Sequence, residues 1–128
     1  MHRVLVIDDN KATADVLCSM LGMLDVEAVP AYGARSALLL LDQVKPEAIF
    51  LDLNMPGVNG LEILAFLKRE PRLQNVPVIV VTSDDQPETQ RRARQAGALD
   101  LILKPATLEA LEAALVRAGV LTSPSDLT

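Results

Sequence analysis

Residues 4–10 read VLVIDDN. Four aliphatic side chains in a row suit a strand covered on both faces, as strands of a parallel sheet are. Two adjacent carboxylates, Asp8 and Asp9, follow at once. They have two readings. Acids are favoured at a helix N-terminus, so Asp8-Asp9-Asn10 can cap a helix that starts near Lys11. They can also hold a cation. The readings are compatible, because one carboxylate can cap while the other binds.

The same grammar recurs downstream. Apolar runs cover 3–7, 26–31, 47–53 (EAIFLDL), 76–83 (VPVIVVTS) and 99–104 (LDLILK). Helix-periodic stretches lie between and after them, over 11–23, 33–44, 59–68, 86–96 and 107–117. Pro87 suits a first helical turn, Thr107 a cap, and Gly97 and Gly119 the left-handed residue just past a helix end. Strict alternation predicts an α/β fold, (βα)5, in three layers: a parallel five-stranded sheet with helices on both faces and right-handed crossovers. The expected domain is 1–119. Residues 120–128 read as a flexible C-terminal tail or the stump of a linker.

Composition narrows the function. The chain has 128 residues, enough for one domain with a real core. It is 50% hydrophobic with a mean hydropathy of +0.27, yet only 2% aromatic, so the core must be aliphatic. A net charge of −5 and a pI near 4.7 argue against direct nucleic-acid binding. The single cysteine, Cys18, excludes an internal disulfide and reads as a buried structural thiol. There is no run of about 18 apolar residues to span a membrane, and MHRVLVIDD does not read as a signal peptide. A cytoplasmic protein is expected. The only histidine, His2, falls at an expected flexible start, which leaves no histidine-based relay within the chain. The basic run RRAR (91–94) places Arg91 and Arg94 on one helix face and Ala93 inward. It reads as a solvated face, with docking of an acidic partner as the other reading.

Open parallel sheets bind ligands outside the carboxyl ends of their strands. Four of the five expected strands end in polar residues: Asp8-Asp9, Asp52 with Asn54 beyond it, Thr82-Ser83-Asp84, and Lys104-Pro105. Carboxylates gathered at one edge repel each other, and a hard divalent cation resolves the conflict. Mg²⁺ (or Mn²⁺) takes oxygen ligands, which Asp9, Asp52 and a backbone carbonyl near Asn54 can supply. Lys104 offers a compact positive charge to a phosphoryl group, and Thr82 a hydroxyl donor. Asp52 is a weak nucleophile that can form an acyl phosphate when the phosphorus is held by metal and lysine.

The ordered set VIDDN, FLDLNMPGVNG, VVTSDD and LILKP resembles the receiver domain of two-component response regulators, and stand-alone chemotaxis-type regulators in particular. The resemblance covers roughly residues 3–118. It implies a flavodoxin-like fold with strand order 2-1-3-4-5. It also implies a phosphorylation-controlled signalling switch, not an enzyme beyond its own phosphorylation and dephosphorylation. By position it makes Asp52 the phosphoacceptor, Asp9 a direct Mg²⁺ ligand, Asp8 a more water-mediated one, and Asn54 a ligand through its main-chain carbonyl. Thr82 becomes the switch hydroxyl and Lys104 the phosphate-binding lysine, with a cis bond to Pro105. Asn54 and Asp84 flank the site and tune the phosphoryl lifetime, and Gly60 opens the third helix. The implied partners are a histidine kinase or histidine phosphotransfer protein, and a downstream protein or missing output domain. One position departs. Three residues before the lysine the family often carries Tyr or Phe, and here stands Leu101, which has no ring to swing.

Three rival functions stay open on the residues. A haloacid dehalogenase-type phosphatase also uses a strand-end aspartate and Mg²⁺, but wants a second acid where Asn54 stands. A flavin-binding module shares the fold, but DDNKAT would repel a phosphate. A receiver-like domain that works without phosphorylation as an interaction module is the third, kept open by Leu101.

Overall fold

The computed structural model describes residues 2–122. Strands β1 (His2–Ile7), β2 (Val26–Ala31), β3 (Ala48–Asp52), β6 (Val78–Thr82) and β7 (Asp100–Leu103) form one parallel sheet. Its order is β2-β1-β3-β6-β7, which is 2-1-3-4-5 when only these five are counted. Helices α1 (Lys11–Gly22), α2 (Ala34–Leu41), α3 (Gly60–Arg69) and α4 (Pro87–Gln95) make the crossovers, and α5 (Leu108–Arg117) follows β7. The architecture is the flavodoxin-like three-layer sandwich. No helix among the described residues is long and apolar enough to cross a membrane.

Side chains alternate across a strand, so the interior strands feed two cores. Leu5, Ile7, Ile49, Leu51, Val78 and Val80 face one side, against Leu64 and Leu67 of α3 and Ala93 of α4. Val4, Val6, Phe50, Ile79 and Val81 face the other, against Leu17 and Leu21 of α1 and Leu111 and Leu115 of α5. This double covering explains why strands β1, β3 and β6 read as nearly unbroken apolar runs. Val120 is buried in the second core with Leu121 beside it, so packing continues just past Gly119. The rest of the expected tail, from 123 onward, lies outside the described residues.

Local chemistry sets the helix ends. Asn10, not an aspartate, caps α1: its side chain accepts from Thr13 N at 3.0 Å. The Asp8 carboxylate instead accepts from Asn10 N at 2.9 Å and braces the turn. Thr107 caps α5 through Ala110 N. Gly97 and Gly119 have φ of 109° and 78°, as their places after helices required. On α4, Arg91 and Arg92 both reach Glu88, the latter at 3.1 Å, while Ala93 is buried. These exposed pairs add little stability.

Two expectations are corrected. His2 is the first residue of β1, and its Nδ1 lies 2.6 Å from a Glu47 carboxylate oxygen. Cys18 is half-buried, and burial first and Asp15 second push its thiol up to about 11, so it is an unreactive thiol.

Between β3 and α3 sits an unforeseen two-residue hairpin, β4 (Asn54–Met55) with β5 (Val58–Asn59), turning through Gly57. Asn59 caps α3 by accepting from Leu61 N. Gly60 follows, and a Cβ there would lie 2.5 Å from the Leu53 Cα. The obstruction is backbone and cannot swing aside. Gly60→Ala is therefore expected to destabilise by roughly 1–3 kcal/mol, overriding the gain in helix propensity. A chemical denaturation midpoint equal to or above wild type would refute this.

Both sheet edges carry an interruption. Pro30 on β2 has no N–H to donate. On β7, the Leu101 N–H is taken by the Asp100 carboxylate at 2.9 Å, and Arg117 of α5 pairs with the same carboxylate.

Candidate functional site

Register brings the polar strand ends together. Ile7 is level with Leu51, so Asp8 and Asp52 stand at the ends of neighbouring strands. Asp52 is level with Val81, and Thr82 with Leu103, so Thr82 and Lys104 come next along the same edge. An open cleft of about 430 Å³ results, lined by Asp8, Asp9, Asp52, Asn54, Ser83 and Lys104 among others.

Within it, carboxylate oxygens of Asp8, Asp9 and Asp52 all lie within 4.8 Å of one another. Asp8 and Asp52 are buried, and Asp9 is exposed. This all-oxygen donor set suits a hard divalent ion and not a soft one. Among the described residues that line the cleft, the one cationic side chain is Lys104. Its Nζ lies 3.1 Å from Asp8 Oδ2 and 3.6 Å from Asp52 Oδ2. Burial pushes the Asp52 carboxyl above the usual range, with Asp8 adding to the rise. The Asn54 N–H, which donates to Asp52 Oδ1 at 3.1 Å, and Lys104 pull the other way. Burial wins, because the carboxylate is removed from water and its neighbours only partly compensate.

Thr82 is fully buried, and its hydroxyl oxygen accepts two hydrogen bonds. One comes from Asn54 Nδ2 at 2.9 Å and one from Asp84 N at 3.1 Å. The Asp84 carboxylate accepts from Gln86 N and, at 2.6 Å, from the Thr89 hydroxyl. Those bonds hold the Asp84 carboxyl below its usual value. The strand end is thereby tied to the start of α4. The Lys104–Pro105 bond is cis. Leu101 is partly buried and packs against the first core.

The model of the response regulator receiver domain matches residues 4–116. The chain belongs to this family. It is 33% identical over 104 residues to the phosphate regulon transcriptional regulatory protein PhoB of Klebsiella pneumoniae, covering 81% of this chain. It spans only 45% of that relative's length. Protein PilH of Pseudomonas aeruginosa is 31% identical over 111 residues, which cover 87% of this chain and 92% of PilH. Among solved structures, the signal receiver domain of a DNA binding response regulator protein from Colwellia psychrerythraea superposes with a TM-score of 0.86. It is 30% identical and covers 94% of this chain and 100% of that one.

This receiver domain is therefore a module of two-component signalling, which does not favour the phosphatase or flavin-binding readings. Its strand ends gather Asp8, Asp9, Asp52, Asn54, Thr82 and Lys104, while Leu101 stands apart. Sequence reasoning missed two things. Lys104 has carboxylate partners already, and the Asn54 side chain reaches across to Thr82. The second was hinted at only by an amide two residues beyond a strand-end aspartate.

Proposed function

We propose that Asp52 accepts a phosphoryl group from a histidine kinase or a histidine phosphotransfer protein, and that the resulting change alters partner binding. The observation that carries this is the convergence of a buried, lysine-paired Asp52 with two further aspartates in one open cleft. A nucleophile needs access, a countercharge for the incoming group and a way to relieve its own repulsion. Asp9 and Asp52, with the Asn54 main-chain carbonyl, would hold a Mg²⁺ ion, and Asp8 would orient its water. Bound there, the ion would offset the carboxylate charges and the charge on phosphoryl oxygens.

This chain's own residues do the rest. Lys104 leaves part of its contact with Asp8 and Asp52 to pair with a phosphoryl oxygen. Thr82 donates its hydroxyl proton to another oxygen. Asp84, tied to Thr89, carries the shift of Thr82 into α4. An apolar groove of about 480 Å³, lined by Val16, Met20, Pro105 and Ala106, opens beside Lys104 and gives a donor protein a surface to rest on. The change is read by a downstream protein or an attached output domain. We assign the activity to the cytoplasm, where kinases find ATP. Dephosphorylation by the domain's own site completes the cycle.

Incubation with a small-molecule phosphodonor and Mg²⁺ is expected to add one phosphoryl group, mapped to Asp52 by mass spectrometry. The absence of a Mg²⁺-dependent adduct, or its location on another residue, would refute the assignment.

A further inference from the structure

We propose that the Asn54 carboxamide is a latch that holds the Thr82 hydroxyl in its resting position and so sets how readily the switch turns. This rests on the reading of Asp52 as phosphoacceptor and deepens it.

Asn54 stands between the two groups that must communicate. Its backbone is paired in the β4–β5 hairpin opposite Asn59, and Asn59 caps α3. Its N–H donates to Asp52 Oδ1, and its Nδ2 to Thr82 Oγ1 at 2.9 Å. One residue thus touches both the acceptor and the switch hydroxyl.

A hydroxyl oxygen has two acceptor sites and one donor. At Thr82 both acceptor sites are filled, by Asn54 Nδ2 and Asp84 N. Thr82 is buried with 0% exposure in this resting arrangement, while Asn54 itself is exposed at the cleft. When the hydroxyl moves to donate to a phosphoryl oxygen, the bond to Asn54 is given up. A contact made in one of two states biases the equilibrium toward that state by its full differential strength. A part-buried hydrogen bond of this kind shifts the balance by roughly 2- to 10-fold. Asn54 is therefore a positioning residue, acting through Thr82. Its side chain is separable from its main-chain carbonyl, which substitution leaves in place for a cation.

The test uses the full chain and the phosphoryl mimic BeF₃⁻ with Mg²⁺, read by calorimetry. Wild type is expected to bind it. Asn54→Ala, and Asn54→Leu, which fills similar space without donors, are each expected to bind roughly 2- to 10-fold more tightly. In a Thr82→Ala background the same substitutions should change affinity little, because the latch has nothing to hold. The Asn54 side-chain amide signals in NMR should shift on BeF₃⁻ binding in wild type and not in Thr82→Ala. Unchanged affinity in both Asn54 variants would overturn the latch, as would a gain that persists without the Thr82 hydroxyl. If wild type itself fails to bind BeF₃⁻, the phosphoacceptor reading falls, and the latch with it.

Discussion

Lys104→Met is expected to lower the stability of the metal-free protein by roughly 3 kcal/mol, the usual scale for removing one partner of a buried charge pair. Lys104 is the ammonium that faces both Asp8 Oδ2 at 3.1 Å and Asp52 Oδ2 at 3.6 Å. The Asp8 and Asp52 side chains are only 1% and 6% exposed, so water cannot take over the role. Methionine keeps the length and loses the charge, leaving two buried carboxylates to repel. Mg²⁺ should recover much of the deficit. A ligand at about 100 times its dissociation constant stabilises by about 2.7 kcal/mol, and the variant binds the ion without a competing ammonium. The same variant should take up phosphoryl groups at least about 10-fold more slowly, having lost the charge that meets the incoming oxygen. Urea denaturation in EDTA and in excess Mg²⁺ reads the first effect, and phosphodonor kinetics the second. Equal denaturation midpoints for wild type and variant in EDTA would show that Lys104 does not carry this load.

Asp52→Asn is expected to abolish phosphoryl uptake while making the metal-free protein more stable at neutral pH. The loss is complete because an amide has no carboxylate oxygen to attack phosphorus. The gain follows from the raised carboxyl of Asp52. A group whose folded pKa lies above its unfolded one favours folding when protonated. Its contribution is fully present below the unfolded value of 3.8 and is lost as pH climbs through the raised folded value. Above that window wild type keeps a buried charge that asparagine does not. Metal-free stability should therefore fall with rising pH more in wild type than in Asp52→Asn, and Mg²⁺ should narrow the gap by stabilising the ionised form. Parallel pH curves for the two proteins in EDTA would contradict this account.

The sequence made the fold and most of the site legible because two strong signals coincide. Apolar runs with a buried-strand character mark β1, β3 and β6, and polar residues end them at one edge. What it hid has physical reasons. The β4–β5 hairpin is too short to show any period. The pairing of His2 with Glu47 depends on two segments 45 residues apart. The helix-cap reading of Asp8-Asp9-Asn10 narrowed to Asn10, which is one residue closer to the helix than either aspartate and takes the cap position. The Asn54–Thr82 bond joins groups 28 residues apart, and only the sheet register brings them within reach. Leu101 was visible as a departure, and the structure shows a packed side chain where a mobile ring would stand.

The interrupted edges bear on how copies of this protein meet. A parallel sheet with free edges is open to a sixth strand from another molecule, the first step toward fibrous aggregation. Here Pro30 removes a donor from one edge, and Asp100, held by Arg117, occupies the Leu101 N–H on the other. Neither edge presents an unbroken row of hydrogen-bond donors. Each edge thus carries a chemical brake on strand-to-strand growth, so the sheet that builds the site is poorly suited to template a sixth strand.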